Sequence, residues 1–152
     1  MLIKPNINIL DVSKVTCVVG VCILETLKEY IKNDLYIKWV NDIYLNDKKI
    51  CGILTESKIS NGIVDYLVIG FGINLYHQIF PKDVNASSIE DQTKIIINKN
   101  ELLSKIVNRI IEALDNINDD LYVNEFRKHL YYKNELVNLS VQGKEFVGRV
   151  ID

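Results

Sequence analysis

Between positions 11 and 33, apolar side chains recur at Val12, Val15, Val19, Cys22, Ile23, Leu27 and Tyr30. This period predicts a helix with one buried face, capped by Asp11 or Ser13 and ending near Lys32-Asn33-Asp34. The pattern then changes. "LYIKWV" is rich in β-branched and aromatic residues and predicts a strand. "IYL", the polar "NDKK" and "ICGILTESK" predict a hairpin, and "SNG" at 60–62 turns the chain into "IVDYLVIGFGINL". Sequential strands joined by short turns predict a largely antiparallel sheet, with the first helix over one face. From Tyr76 to Asn98 the pattern weakens to an ordered loop. Asn100 is placed to cap a helix whose stripe is Leu102, Leu103, Ile106, Val107, Ile110, Ile111 and Leu114. Another helical segment follows Asn118-Asp119-Asp120 and runs to about Leu130, with Leu121, Phe126 and Leu130 inward. The tail predicts two strands around Gln142-Gly143, too few to close a small barrel. The expected class is α+β, a mixed, largely antiparallel sheet flanked by helices.

Composition narrows the partners. With 152 residues, 48% hydrophobic and 25% charged, the chain suits one ordinary globular domain. A net charge of −2 gives no basic excess to attract nucleic acid. No apolar run nears the roughly 18–20 residues that span a bilayer, and "MLIKPNINIL" lacks a signal-peptide cleavage site, so the expected location is cytoplasmic, off the membrane. Cys17, Cys22 and Cys51 form no Cys-x-x-Cys pair and read as small buried hydrophobes.

Chemistry concentrates in "KWVNDIYLNDKKICGILTE", Lys38 to Glu56. Lys38, Lys48 and Lys49 offer cationic donors suited to phosphate or carboxylate oxygens. Asn41 and Asp42 offer an amide and a carboxylate able to hold a magnesium water shell or fix a lysine. Gly52 permits close approach to the backbone. The same residues also fit a solvated hairpin tip that merely keeps an edge soluble. A second feature is "VIGFGINL", where Gly70 and Gly72 interrupt an apolar strand. They suggest a flat ligand lying close, although the third glycine and following helix of a dinucleotide fingerprint are missing. His77 and His129 have no metal-ligand spacing with the cysteines, and no nucleophile elbow or Walker loop occurs. Strict strand alternation places Lys49 on the face opposite Gly52, unless a bulge near Gly52 intervenes or Lys49 sits in the turn.

Taken together, "KWVND", "KICGILTE" and "GFGIN" resemble the catalytic domain of biotin protein ligases, which carry Lys-Trp-Pro-Asn-Asp, Lys-(Ala/Gly)-Gly-Ile-Leu-x-Glu and Gly-x-Gly-Ile-Asn. Phe80-Pro81, "NASSI" at 85–89, "NELL" and "EFRKHLYYKNELV" extend the likeness. The resemblance implies a class II synthetase-like fold, with residues 1–134 in the catalytic domain and 135–152 beginning an SH3-like β domain. It implies ATP, Mg²⁺ and biotin as ligands, a biotinyl-5′-adenylate intermediate, and a biotin carboxyl carrier protein as acceptor. By the same resemblance, Lys49 bridges the biotin carboxyl and α-phosphate, and Lys38 stabilises the phosphates. Asn41 and Asp42 position the acceptor or metal-bound phosphates, Asp42 being the metal candidate. Gly52, Gly70 and Gly72 line the clefts, Asn74 faces adenine, and Leu54 and Ile73 are apolar walls.

Departures from the pattern qualify those expectations. Val40 stands where the family has proline, and Cys51 where it has alanine or glycine. The family's upstream Ser-Thr-Asn segment and Gly-Arg-Gly-Arg-type loop have no counterpart, so the resemblance implies a domain truncated at both ends. A non-catalytic remnant and a lipoate-type protein ligase are the alternative readings. No winged helix is seen, which leaves repressor activity unsupported, and a homodimer is possible by analogy with family members that align sheets.

Overall fold

The structure, a computed structural model, describes residues 1–117 and 120–151. Its elements are β1 (Leu2–Ile3), a 3₁₀ helix (Ile9–Lys14), α1 (Val15–Lys28), β2 (Leu35–Lys38), β3 (Asp42–Leu45), β4 (Lys48–Ser60) and β5 (Ile63–Ile73). There follow α2 (Ile89–Thr93), α3 (Lys99–Asp115), α4 (Leu121–Lys128), β6 (Leu136–Val141) and β7 (Lys144–Arg149). β1 to β5 form one antiparallel sheet in the order β1-β5-β4-β3-β2.

The two hairpins arise where the turn chemistry requires them. Asn46 and Asp47 have φ of 46° and 62°, and Asn61 and Gly62 have 52° and 77°. Paired positive φ values match the twist of the flanking strands, which is why Asn, Asp and Gly occupy them. Lys48 and Lys49 lie beyond the first turn and open β4.

Helix α1 supplies most of the core. Val15, Val18, Val19, Val21, Cys22, Ile23, Leu24 and Leu27 are all buried, because the sheet covers one side and α3 and α4 the other. The helix is shorter than the pattern predicts. Asn8, whose side chain accepts from the Leu10 N–H, caps a 3₁₀ entry instead of Asp11 or Ser13. α3 likewise starts from Asn98, which accepts from Asn100 and Glu101 N–H. Its buried stripe is narrower than expected: Leu102, Ile106, Ile110, Ala113 and Leu114 point inward while Leu103 and Ile111 are exposed. Phe126 and Leu130 are buried as expected, but Leu121 is exposed. Asn118 and Asp119, at the expected start of that segment, lie outside the described residues. The expected loop at 76–98 contains α2, five residues capped by Ser88 and too short to show a period.

Cys22 and Cys51 are buried, and burial pushes both thiols up to about 12. Cys17 is half-buried, with its thiol also raised by burial. β6 and β7 form a two-stranded sheet of their own. Among the described residues, no helix is long and apolar enough to cross a membrane.

Candidate functional site

One face of the five-stranded sheet rests on the helices; the other is open. Cross-strand partners share a face, so the register shows which side chains stand together. Lys38 pairs with Asp42, Asp42 with Gly52, and Gly52 with Gly72. These four residues form a single row across β2, β3, β4 and β5, roughly 14 Å from end to end at ~4.8 Å per strand. Leu54 pairs with Gly70 one step along the same face and is 62% exposed. A Cβ added at Gly72 would meet nothing within 4 Å, and one at Gly70 only the Leu54 carbonyl at 3.8 Å. The centre of this face is bare backbone bordered by lysines.

Lys49 reaches that face through a bulge. Cys51 pairs with Ile43 but Lys49 pairs with Tyr44, leaving Ile50 as an extra residue in β4. Ile50 and Cys51 are therefore both buried although adjacent, and Lys49 turns to the same side as Gly52. Its Nζ lies 2.6 Å from Asp42 Oδ1. A Cβ on Gly52 would sit 3.4 Å from Lys49 Cε and Nζ and 3.6 Å from Asp42 Oδ1. Gly52 thus leaves room for the ion pair.

Residues 85–87 bracket the Lys49 backbone. The Lys49 N–H donates to the Asn85 carbonyl at 3.1 Å, and the Ser87 N–H donates to the Lys49 carbonyl at 3.0 Å. Asn85 also donates through Nδ2 to the Asp47 carbonyl and accepts from Lys48 Nζ. Beside the row, Lys38 Nζ lies 5.2 Å from the centroid of the Tyr44 ring, a cation–π contact. Tyr44 stacks in turn on Tyr131 at 5.0 Å.

The remaining expected site residues lie elsewhere. Asn41 clamps β4, donating through Nδ2 to the Ile53 carbonyl and accepting from the Ile53 N–H, each at 2.8 Å. Asn74 holds the 85–89 segment, donating to the Ser87 carbonyl at 3.1 Å and accepting from the Ile89 N–H. Ile73 is on the helical face, not in the open face. It pairs with Cys51 and, with Phe71, Leu75, Leu102, Leu103 and Ile106, lines an apolar groove of about 160 Å³ beside α3. Alternation after Gly72 sends it there. Trp39 is 73% exposed beside the row, and the Trp39–Val40 peptide is cis. Tyr44, Tyr131 and Asp47 were not singled out from the sequence; the signal available was the aromatic pair in "YYKNE".

Asp42 offers one carboxylate, engaged by Lys49. Among the described residues, the group of potential metal ligands close enough to share an ion is Glu25, Glu125 and His129, in the helical layer. Lys28 already occupies it, donating to His129 Nε2 and to Glu25 Oε1, each at 2.9 Å. The bond to Nε2 requires the neutral ring. Burial, reinforced by the Lys28 ammonium, holds His129 below its ordinary 6.5 against the pull of Glu125 and Glu25. The unfolded chain therefore takes up that proton first. The contribution is present above about pH 6.5 and is lost as pH falls below it. His129→Gln is expected to flatten the fall in melting temperature between about pH 7 and 5. An unchanged slope would remove this ring as its cause. Glu125, lowered chiefly by Lys128, titrates below 4.5 and stays out of the window.

A family model described as the biotin/lipoate A/B protein ligase family matches residues 1–74, the stretch that contains the whole row, Lys49 and Asn74. Nearly half of the chain, residues 1–74, is thus similar to that family. It is 29% identical over 136 residues to the bifunctional ligase/repressor BirA of Salmonella typhimurium, covering 86% of this chain and 42% of that relative. Over 41 residues it is 49% identical to the biotin–[acetyl-CoA-carboxylase] ligase of Paracoccus denitrificans, 27% of this chain and 17% of that one. Its fold superposes on the biotin protein ligase of Aquifex aeolicus in complex with biotin and ATP, with a TM-score of 0.77 and 26% identity, over 98% of this chain and 63% of the other. The chain thus spans less than half the length of the BirA relative it matches.

Proposed function

We propose that this domain activates biotin with ATP, forming biotinyl-5′-adenylate and pyrophosphate, and passes the biotinyl group to a lysine of a biotin carboxyl carrier protein. The observation that carries the reading is the row Lys38-Asp42-Gly52-Gly72, with Lys49 turned onto the same face by the Ile50 bulge. A flat ligand can lie on the glycines while both ammonium groups meet its anionic end. The biotin and ATP named for the Aquifex aeolicus protein fit that division.

In the first step a biotin carboxylate oxygen attacks the α-phosphorus, and the bond to the pyrophosphate oxygen breaks. Two anions must approach, and negative charge on the α-phosphoryl oxygens must be met as it develops. Lys49, held by Asp42, bridges the carboxylate and the α-phosphate; Lys38 meets the remaining phosphates. Asp42 and the phosphates together can hold Mg²⁺, which usually takes one or two carboxylates plus substrate oxygens and supplies charge neutralisation. In the second step the acceptor amine attacks the acyl carbon, AMP leaves, and the amine proton passes to solvent. Asn41 and Asn74 fix the surrounding backbone, and Leu54 is an apolar wall. In this reading residues 1–134 are the partial catalytic domain and 135–152 the beginning of an SH3-like β domain. ATP use suits a cytoplasmic protein, and the acceptor class follows the carboxylase named for the Paracoccus denitrificans relative.

A lipoate-attaching activity is the second reading, since the matching family includes lipoate ligases. ATP–pyrophosphate exchange on the folded chain, with biotin and lipoate supplied separately, decides between them. Exchange that depends on biotin supports the proposal, and exchange that depends on lipoate transfers it to the second reading. A folded chain active with neither overturns adenylation and leaves a ligand- or partner-binding domain.

A further inference from the structure

A tyrosine distant in sequence from the row is built into the support of Lys49. The Tyr131 N–H donates to the Ile37 carbonyl at 2.9 Å, which fixes its backbone to the edge strand β2. Its ring stacks on Tyr44 of β3 at 5.0 Å and 25°. Its hydroxyl donates to Asp47 Oδ1 at 2.7 Å, across 84 residues of sequence. Burial, with smaller contributions from Tyr132 and Asp47, raises the phenol, so it stays a donor. From Asp47 the chain of bonds continues. The Asp47 carbonyl accepts from Asn85 Nδ2 at 2.9 Å, and the Asn85 carbonyl accepts the Lys49 N–H at 3.1 Å.

We propose that Tyr131 and Asp47 are positioning residues for Lys49, acting through Asn85, so that the 129–135 segment leading to β6 sets where the Lys49 ammonium stands. The turn they hold, Asn46-Asp47, is two residues long and is separated from Lys49 only by Lys48. Asn46 adds a weaker tie, donating to Gln92 Oε1 at 3.3 Å, while Gln92 donates to Ser87 Oγ at 2.9 Å. A contiguous set of bonds is a physical route for coupling, and the coupling itself is measurable.

The deciding experiment is amide hydrogen exchange on the whole folded chain, comparing Tyr131→Phe and Asp47→Asn with the parent. Phenylalanine keeps the ring stack and loses only the hydroxyl bond; asparagine keeps an acceptor and tolerates the positive φ. Tyr131→Phe is expected to speed exchange at the Lys49 and Ser87 amides about 10-fold and leave the α1 amides unchanged, while Asp47→Asn behaves like the parent. Unchanged Lys49 and Ser87 amides, or equal acceleration throughout the core, overturn the proposal. The catalytic consequence rests on the function proposed above: Tyr131→Phe should lower kcat of pyrophosphate exchange about 10-fold with KM for ATP nearly constant. A selective exchange effect without that change in kcat would show a tie that does not position Lys49 for chemistry, and would also overturn the proposal. A parent chain inactive with biotin defeats the proposed function alone, because the amide measurement still decides whether the tie holds Lys49.

Discussion

Replacing Lys49 with alanine is expected to lower biotin-dependent pyrophosphate exchange about 10²–10³-fold, the usual cost of removing one preorganised donor from a developing oxyanion. The loss should come from chemistry, not from unfolding. The Lys49 side chain is 39% exposed and its ion pair is with a partly exposed Asp42, so deleting it changes stability by less than about 1 kcal/mol. Ile50 and Cys51, which carry the bulge into the core, remain buried. A thermal melt close to that of the parent, together with the lost exchange, would assign the effect to the ammonium. Lys58→Ala, an exposed lysine farther along β4, serves as the control and should retain parental rates. Exchange within about 3-fold of the parent in Lys49→Ala would remove this residue from the centre of the proposed mechanism.

The strands and turns were legible because their signals are local. Asn46-Asp47 and Asn61-Gly62 each sit between apolar runs, and each adopts the turn that its residue types favour. The row was only partly legible. Lys38, Asp42, Gly52 and Gly72 stand out by type, but their alignment depends on a register that the Ile50 bulge sets. Alternation alone puts Lys49 on the wrong side, and nothing in "KKICG" reports that two neighbouring residues are buried together. Ile73 shows the converse error: adjacency to Gly72 in sequence places it on the opposite face in space. Asn98 and Asn100 are equally good caps by residue type, and the structure places Asn98 at the cap. The Tyr131–Asp47 bond joins positions 84 apart, beyond the reach of any local pattern.

Gly72→Val separates the sheet-face site from the lysines. Gly72 has no positive φ, and a Cβ there meets nothing within 4 Å, so the strand accepts valine without strain. Losing a glycine from a strand interior should stabilise the chain by about 0.5–1 kcal/mol, through a less flexible unfolded state and better strand propensity. That corresponds to a rise in melting temperature of a few degrees at most. Binding should move the other way. The isopropyl group would stand on the open face next to Gly52, where the proposed ligand lies flat, and crowding of this kind costs roughly 1–3 kcal/mol. Calorimetric affinity for biotin with a non-hydrolysable ATP analogue is therefore expected to fall about 10- to 100-fold while Lys38, Asp42 and Lys49 stay in place. Gly52→Val would not separate these effects, because its Cβ already touches the Lys49 ion pair. A Gly72→Val chain as stable as the parent and binding equally well would mean that no ligand lies on this face. The lysines would then be left as a solvated hairpin edge.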